Sequence, residues 1–194
     1  IVEGDKTTGV TTMMMDQGLD TGDILLQACL EIDERETTNS LNEKLMELGA
    51  DLVVRTIWAV MEKSVTRTSQ DDTKATYTGL LIKSDGQIDW NRSAVEIDRL
   101  IRAMNPWPTA FFDLKGESIR VWEAEAVSGL GACGGVVDVN KNGITVGTGA
   151  GLIILRQLQA PGKKKVTAFE LASSKGIKPG DLLSAQYSDS GDKI

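Results

Sequence analysis

Two short segments near the beginning of the chain have the residue patterns of strands, and in the second of them apolar and polar residues alternate. Residues 9–15 form a short run that contains valine and threonine, which favour extended backbone. In residues 24–32, Leu26, Ala28 and Leu30 share one face, and a cysteine lies among polar residues on the other. Residues 16–22, between these segments, contain two glycines and two aspartates, which is typical of a turn. The pattern predicts two strands joined by a short loop.

A longer segment, residues 40–62, has the apolar spacing of an amphipathic helix. Large apolar residues recur along it every three to five positions, and hydroxyl and amide side chains that can cap a helix precede it. We therefore predict a helix over residues 40–62 with one broad apolar face. Two strands are a poor cover for such a face, so we expect that part of the parent sheet is missing from this chain.

The composition changes after this helix. Residues 65–83 are mostly polar and carry no periodicity, which predicts a linker that is extended in places. Ser93 can cap a short helix, and the prolines at 106 and 108 must end it, because proline cannot continue a helix. The apolar residues of this short helix are Val95, Ile97, Leu100, Ile101 and Met104.

Short segments of β-type composition follow at regular spacing, with glycine or asparagine in most of the turns between them. They are residues 110–114, 118–127, 135–139, 143–148 and 152–158. Five short strands with this punctuation favour a small closed barrel, and an OB-like barrel is the economical choice. Residues 167–173 can add one short helix, and residues 184–194 are expected to be an unconstrained tail.

Composition excludes several classes of protein and site. The chain has 194 residues, 41% of them hydrophobic, which suits a packed core and argues against disorder. No run of about 18 apolar residues occurs, so no membrane span is expected. With no histidine and no Cys-x-x-Cys, we expect no metal site, and Ser-His-Asp and Cys-His catalysis are excluded within the chain. We expect a monomeric cytoplasmic protein.

Two cysteines and an uneven charge distribution complete the composition. Buried free thiols at Cys29 and Cys133 are the favoured interpretation, and a disulfide is the alternative. The net charge is −7, and residues 1–63 contain 13 acidic and 5 basic residues. Residues 156–180, in contrast, contain six basic residues and one acidic residue. This basic segment on an acidic chain is compatible with binding to a polyanion.

Three motifs, in this order and at these separations, resemble the methionyl-tRNA formyltransferase family. They are MDQGLDTGD at residues 15–23, GQIDW at 86–90 with IRAMNPWP at 101–108, and LQAPGKKK at 158–165. Other folate-dependent formyltransferases share versions of the first motif, and sugar-nucleotide formyltransferases share the proline-tryptophan-proline stretch. The lysine-rich third motif points more narrowly to the tRNA enzyme.

The resemblance implies a reaction and an architecture. The reaction is formyl transfer from 10-formyltetrahydrofolate to the amino group of methionine on initiator tRNA. The fold class implied is α/β plus all-β: the C-terminal edge of a Rossmann-like catalytic domain at 1–65, a linker at 66–85, and an OB-like domain at 86–194. The N-terminal part of the catalytic domain is then lacking. Family linkers often carry a lysine just before the position of Leu81, where this chain has Leu80.

Only one of the family's catalytic residues maps onto this chain. Family members use an asparagine, a histidine and an aspartate; the first two lie upstream of the matched segment, and the aspartate corresponds to Asp20. A carboxylate beside an imidazole orients the ring, raises its pKa and can accept a proton through water. The alternative is a turn aspartate that hydrogen-bonds its own backbone. Asp16 is a candidate for the folate pocket.

The basic segment carries the candidate tRNA-binding residues, which are Arg156, Lys163, Lys164 and Lys165. The three lysines follow Pro161-Gly162 and are expected on a tight, exposed turn, where they would contact phosphates without selecting sequence. A solvated loop is the alternative. Trp90 and Trp107 flank the predicted short helix, and we expect them to be buried between it and the barrel; stacking on a tRNA base is the alternative.

Two other functions remain open. One is a different 10-formyltetrahydrofolate-dependent enzyme, such as a sugar-nucleotide formyltransferase or a formyltetrahydrofolate hydrolase. The other is a non-catalytic RNA-binding module built on the barrel. The three lysines at 163–165 distinguish the tRNA enzyme from the first alternative. A requirement for Asp20 in formyl transfer distinguishes it from the second.

We predict that the 194-residue chain alone transfers no formyl group, because it contains no histidine and, by the resemblance, lacks most of the folate-binding domain. The measurement is production of formyl-Met-tRNA by the purified chain, beside a full-length family member as the positive control. Product above the protein-free background would contradict the prediction.

Overall fold

The computed structural model describes residues 1–183, and the tail predicted at 184–194 lies outside these residues. The described chain divides into two compact units. We call Asp5–Leu80 the small unit, and Ile1–Gly4 together with residues 81–183 the large unit. The small unit combines helix and sheet, and the large unit is rich in β-structure, as the predicted α/β plus all-β class requires. The Rossmann-like edge, the OB-like barrel and the domain bounds at 1–65, 66–85 and 86–194 stay predictions.

The sheet of the small unit has two antiparallel strands. β1 (Thr7–Met13) pairs with β2 (Ile24–Glu31), from Thr7 opposite Glu31 to Met13 opposite Ile24. Residues 26, 28 and 30 of β2 are half-buried, whereas residues 27, 29 and 31 are exposed. Both predicted strands and the two-faced pattern of β2 are therefore confirmed.

α1 (Thr38–Met61) confirms the predicted helix to within two residues at its start and one at its end. Thr37 caps it: the Ser40 N–H donates to the Thr37 hydroxyl, and the Thr37 N–H donates to the Ser40 hydroxyl. This reciprocal arrangement satisfies donors that a helix otherwise leaves unpaired at its first turn.

The two strands cover only part of α1. Leu41, Leu52 and Thr56 are buried, and the Thr56 hydroxyl lies 2.8 Å from the Thr12 hydroxyl of β1. Many other apolar side chains of α1 are exposed, namely Met46, Val53, Val54, Ile57, Trp58, Val60 and Met61. The expectation that this chain provides too little sheet for the apolar face of the helix is confirmed.

A buried carboxylate joins the beginning of α1 to the loop before it. Glu36 is 4% exposed, and Lys44 donates to Glu36 at 2.5 Å and to Asp33 at 2.7 Å. The Ser40 hydroxyl also donates to Glu36. The hydrogen bond from Lys44, followed by the one from Ser40, holds the pKa of Glu36 below its usual value in spite of burial.

Part of the predicted linker belongs to the small unit. Thr68 and Ile24 exchange two backbone hydrogen bonds, of 2.8 and 3.0 Å, so the chain after α1 returns beside the first residue of β2. Short 3-10 turns follow at Asp72–Lys74 and Lys83–Gly86. The sequence did not predict this pairing. Backbone groups supply both bonds, so the pairing leaves no apolar periodicity in the segment.

The large unit contains a six-stranded antiparallel sheet and two helices. Its elements are α2 (Ala94–Ala103), β3 (Ala110–Leu114), β4 (Glu117–Val127), β5 (Val136–Asn140), β6 (Gly143–Gly147), β7 (Leu152–Gln159), β8 (Val166–Thr167) and α3 (Ala168–Lys175). The strand order is β3-β4-β7-β6-β5, and β8 pairs with β7. The five strands and two helices predicted in this region are confirmed, and β8 was missed because it has only two residues.

The β4–β7 pair contains two register shifts that cancel. Val121 lies opposite Leu158 and Glu123 opposite Gln157, so Trp122 is an extra residue on β4. Glu123 opposite Gln157 is followed by Ala124 opposite Leu155, which makes Arg156 an extra residue on β7. Each extra residue locally disturbs the ladder and redirects side chains, as a β-bulge does. Beyond the two shifts the original register is restored.

The core of the large unit lies between α2, α3 and the sheet. Ile97, Leu100 and Ile101 of α2 are buried in it. Val95 is 52% exposed and does not belong to this buried set. It is the second residue of the helix, and the buried positions of α2 lie at Ala94 and from Ile97 onward.

The two tryptophans that flank α2 behave differently. Trp90 is 3% exposed and its ring centroid lies 5.8 Å from that of Phe112 in the core, which confirms its predicted burial. Trp107 is 55% exposed, so its predicted burial was wrong. Trp107 stands between two prolines in the turn after α2 and does not belong to the buried cluster of the large unit.

Both cysteines are free, as expected, but both are exposed, so their predicted burial was wrong. Cys29 lies on the exposed face of β2, which it shares with residues 27 and 31. Cys133 lies in the glycine-rich loop that precedes β5. A run of apolar neighbours therefore did not indicate burial, because alternate residues of β2 face opposite sides.

We predict that Lys44→Met lowers the free energy of unfolding of the small unit by about 1–3 kcal/mol at pH 7, because Glu36 stays buried without its cation. The folded-state pKa of Glu36 lies below its ordinary value of 4.5. The contribution is therefore present above that value and is lost as the pH falls through the folded-state pKa.

Hydrogen exchange of the α1 amides at increasing urea concentration measures this loss in the whole chain. The matched control is Lys74→Met, since Lys74 forms an exposed pair with Asp71 at 3.2 Å and should contribute less than about 1 kcal/mol. Equal losses in the two variants, or a Lys44→Met loss that is the same at pH 3 as at pH 7, would contradict the assignment.

Candidate functional site

The loop between β1 and β2 is organised by one aspartate and presents another. Asp16 accepts hydrogen bonds from the Gly18 N–H at 3.0 Å and the Thr21 hydroxyl at 2.7 Å, so its carboxylate closes the loop on itself. Asp20 has a positive φ of 58°, a left-handed conformation that aspartate and asparagine tolerate better than most residues. The Asp20 residue is exposed in this loop.

The segment after α1 holds this loop in place. The Gln70 side-chain amide donates to the Asp20 carbonyl at 2.7 Å and to the Gly22 carbonyl at 2.8 Å. The Ser69 hydroxyl donates to the Asp23 carboxylate at 3.0 Å. Neither Gln70 nor Ser69 was a candidate from the sequence, and no periodicity or motif in their segment could have indicated them.

Asp20 borders a cavity of 570 Å³ formed within the small unit. Its lining residues come from the loop and from the segment after α1: Leu19, Asp20, Thr21, Ile24, Ser69, Gln70, Asp71, Asp72, Lys74, Ala75, Thr76, Tyr77 and Thr78. The volume lies within the range of about 300–1,000 Å³ that is usual for small-molecule sites. Asp16 does not line this cavity.

The two carboxylates of the cavity, those of Asp71 and Asp20, differ in the hydrogen bonds and ion pairs that they form. The Thr73 hydroxyl and then Lys74 lower the pKa of Asp71, which keeps that carboxylate ionised. Within residues 1–183, the Asp20 carboxylate makes no hydrogen bond or ion pair, although its backbone is fixed. An exposed carboxylate on a fixed backbone can accept a proton from, or orient, a group that enters the cavity.

The lysine turn, which we define as Pro161–Lys165, follows the end of β7 in the large unit. Gly162 adopts a left-handed φ of 66°, and the Lys163 N–H donates to the Ala160 carbonyl at 3.1 Å. All three lysines are exposed. The predicted tight, exposed turn is confirmed, and the structure brings Lys163, Lys164 and Lys165 together.

A chain of contacts fixes the lysine turn to the sheet. The Trp122 indole N–H donates to the Gln159 side-chain oxygen at 2.9 Å, and the Gln159 amide donates to the Lys163 carbonyl at 2.7 Å. The Lys165 ammonium lies 3.2 Å from the centroid of the Trp122 ring, a cation–π contact. Trp122 and Gln159 were not predicted, because their role depends on the extra residue in β4.

The four candidate cations for phosphate binding are not equivalent. Lys163 and Lys164 form no ion pair within the described residues, and they line a cavity of 660 Å³ beside the Lys175–Glu117 pair. Arg156 donates to Glu125 at 2.5 Å and to the Asn142 carbonyl at 2.5 Å, and it does not line that cavity. The geometry therefore separates Arg156 from the lysine turn.

Residues 1–183 contain neither a cluster of metal-ligating side chains nor a long apolar helix. No group of three or more aspartate, glutamate, cysteine or histidine side chains there is placed to hold a metal ion. None of the helices in that range combines the length and hydropathy that a membrane span requires.

Relatives of known sequence cover nearly the whole chain. The methionyl-tRNA formyltransferase of Lachnospira eligens is 37% identical over 190 residues, which are 94% of this chain and 60% of that protein. The methionyl-tRNA formyltransferase of Stutzerimonas stutzeri is 41% identical over 185 residues, 94% of this chain and 59% of that protein. The chain thus spans about six-tenths of the length of these curated relatives.

Solved structures share the fold. HypX from Aquifex aeolicus in complex with tetrahydrofolic acid matches with a TM-score of 0.67 and 15% identity, over 94% of this chain and 35% of that chain. The N-formyltransferase from Helicobacter canadensis in complex with folinic acid and dTDP-3-aminofucose matches with a TM-score of 0.64 and 18% identity, over 82% of this chain and 58% of that chain. At these identities the likeness concerns the fold alone.

Two family models match the chain in succession. The model described as "Formyl transferase" matches residues 1–57, and the model described as "Formyl transferase, C-terminal domain" matches residues 80–176. The second match alone covers half of the chain, and the loop of Asp20 and the lysine turn fall within the two matched ranges. The chain belongs to the formyl transferase family.

Proposed function

We propose that this chain is part of a methionyl-tRNA formyltransferase, which transfers a formyl group from 10-formyltetrahydrofolate to the amino group of methionine on initiator tRNA. The observation that carries the proposal is the relatives of that name, 37–41% identical to the chain over 94% of its length. The presented carboxylate of Asp20 and the unpaired lysines of the turn supply the two kinds of group that such a reaction requires.

The proposed reaction needs a neutral amine and a path for its proton. The amine nitrogen attacks the formyl carbon, the bond from that carbon to the folate nitrogen breaks, and the amine proton passes to the departing nitrogen. Asp20 acts in this path with a histidine that the family resemblance places outside this chain. Its carboxylate orients the imidazole and stabilises the protonated ring, which matches an aspartate fixed by its backbone and free at its side chain.

A folate-type donor is supported by the cavity beside Asp20 and by the relatives of the fold. HypX is described in complex with tetrahydrofolic acid and the Helicobacter protein in complex with folinic acid. The cavity offers the Tyr77 ring and several hydroxyl groups to a ligand of that size. Asp16, a candidate for this pocket, is proposed to act by closing the loop that carries Asp20, since both of its hydrogen bonds stay within the loop.

The finer architecture follows from the same proposal. The small unit is the C-terminal edge of a Rossmann-like catalytic domain, and the large unit is an OB-like barrel. The exposed apolar side chains of α1, such as Trp58 and Met61, support the first assignment, because a helix in such a domain is covered by a larger sheet. The antiparallel path of short strands supports the second.

The lysine turn is the proposed phosphate contact. Lys163 and Lys164 carry free charges on a turn that Gln159 holds in place, and Lys165 adds its charge while it lies on Trp122. Arg156 contributes less, since it already donates to Glu125 and to the Asn142 carbonyl. Such contacts supply affinity and position the tRNA, but they do not select the initiator.

We predict that Asp20→Asn in the full-length protein lowers kcat/KM for formyl transfer by a factor of about 10² or more, as expected for an acid–base group. Asparagine tolerates the left-handed backbone at this position, so the loop should keep its shape. The measurement is the initial rate of formyl-Met-tRNA production. The control is Asp51→Asn, which removes an exposed carboxylate of α1 that does not line the cavity and should retain the rate.

An unchanged rate in Asp20→Asn would favour the non-catalytic RNA-binding module instead. The same assay distinguishes the substrate when Met-tRNA and an amino-sugar nucleotide compete for the full-length enzyme. Preferential formylation of the sugar nucleotide would overturn the tRNA assignment and leave the formyl-transfer assignment standing.

We predict that Lys163→Gln with Lys164→Gln weakens tRNA binding by the chain and lowers the slope of log affinity against log salt by about 0.9 for each lost phosphate contact. The control is Lys6→Gln, which removes an exposed lysine from the small unit. Filter binding between about 50 and 200 mM salt measures both quantities. A slope equal to that of the unsubstituted chain would remove the lysine turn from the tRNA site.

A further inference from the structure

The large unit has a second concave surface, of 590 Å³, beside the lysine turn. We call it the tryptophan groove, and the lining residues that matter are Lys83, Pro106, Trp107, Pro108, Arg120 and Trp122. We propose that it binds an unpaired nucleotide of RNA, with the base stacked on Trp107 and the phosphate held by Lys83 and Arg120. The inference rests on the proposed function, because it names a further contact for the same RNA partner.

Trp107 provides a platform that is both exposed and fixed. It is 55% exposed, although burial of an indole ring normally stabilises a folded protein. Prolines stand on either side of it, and the turn is braced by the Thr109 N–H, which donates to the Met104 carbonyl at 2.8 Å. The Thr109 hydroxyl also donates to the Pro106 carbonyl at 2.7 Å. A ligand that stacks on Trp107 therefore loses little free energy to ordering of the backbone.

The charges around the groove favour an anion. Lys83 and Arg120 are exposed, and their side chains form no ion pair or hydrogen bond within residues 1–183. The carboxylate that lines the groove, Glu117, is held by Lys175 at 2.6 Å. Lys165 adds a third cation on the face of Trp122. The groove is thus locally positive, in a chain whose net charge is −7.

An aromatic face flanked by free cations matches a base and its phosphate. Stacking of this kind requires a base whose face is uncovered, so the expected ligand is a single-stranded segment and not a duplex. A proline-rich peptide can also use an aromatic groove, but it has no anion to neutralise Lys83 and Arg120. The charge complementarity therefore selects the nucleotide.

The test is the binding of fluorescently labelled hexa-adenylate RNA to the 194-residue chain, followed by anisotropy. Trp107→Ala is expected to weaken binding about tenfold or more, and Trp107→Phe, which keeps an aromatic face, is expected to recover much of that loss. The matched control is Trp58→Ala, because Trp58 of α1 is 58% exposed, nearly as Trp107 is, and should leave the affinity unchanged.

The two cations have a separate readout. Lys83→Gln and Arg120→Gln should each lower the salt slope for single-stranded RNA by about 0.7, the value expected for one phosphate contact. Thermal unfolding of each variant checks that the fold is retained, which is expected for exposed side chains.

Three outcomes would overturn the inference: equal affinity in Trp107→Ala and the unsubstituted chain, equal binding of a duplex RNA, or displacement of the RNA by a proline-rich peptide alone. The proposed function can fail independently. If Lys163→Gln with Lys164→Gln weakens tRNA binding while Trp107→Ala leaves hexa-adenylate binding intact, the groove is wrong and the tRNA assignment stands. If the chain binds hexa-adenylate through Trp107 and the full-length protein does not formylate Met-tRNA, the groove assignment stands and the proposed function is wrong.

Discussion

The pairing of β4 with β7 is the interaction on which the large unit depends. β7 also pairs with β6 and β8, so three strands of the sheet are its direct neighbours and β3 and β5 each lie one strand further away. Its alternate residues Ile153 and Leu155 are fully buried, as are Ile119 and Val121 of β4. Burial of these side chains supplies the main stabilisation. The positions of the outward-facing residues, and of the turn that follows Gln159, are consequences of that pairing.

The small unit depends on a less complete version of the same effect. Leu41 and Leu52 are buried, but most of the apolar side chains of α1 remain in water. Polar contacts therefore contribute a larger part of the stability of the small unit. They are the ion pair of Lys44 with Glu36 at the beginning of α1 and the hydrogen bond between Thr12 and Thr56 along its side. The loop of Asp20 inherits its position from this arrangement and from the bond that Gln70 donates to it.

Apolar spacing predicted the regular elements well, because each is defined by contacts that repeat along the chain. It predicted α1, whereas β-type composition with turn residues between the segments predicted the five strands of residues 110–158. The resemblance indicated Asp20, which spacing alone would have left as an ordinary turn residue. Gln70 could not be predicted, since its two hydrogen bonds go to backbone carbonyls about fifty residues earlier in the chain. The exposure of Trp107 was equally hidden, because a large apolar residue beside a core helix is usually buried.

The two extra residues of the β4–β7 pair determine which deletions the pair can accept without a change of register. If Trp122 and Arg156 were both deleted, Val121 opposite Leu158, Glu123 opposite Gln157 and Ala124 opposite Leu155 would form one continuous ladder. Deletion of either alone would move half of the pair by one residue and exchange its inner and outer faces. The two positions are therefore a matched insertion that the sheet does not need. Its two side chains, one under Lys165 and one paired with Glu125, are additions to a frame that is complete without them.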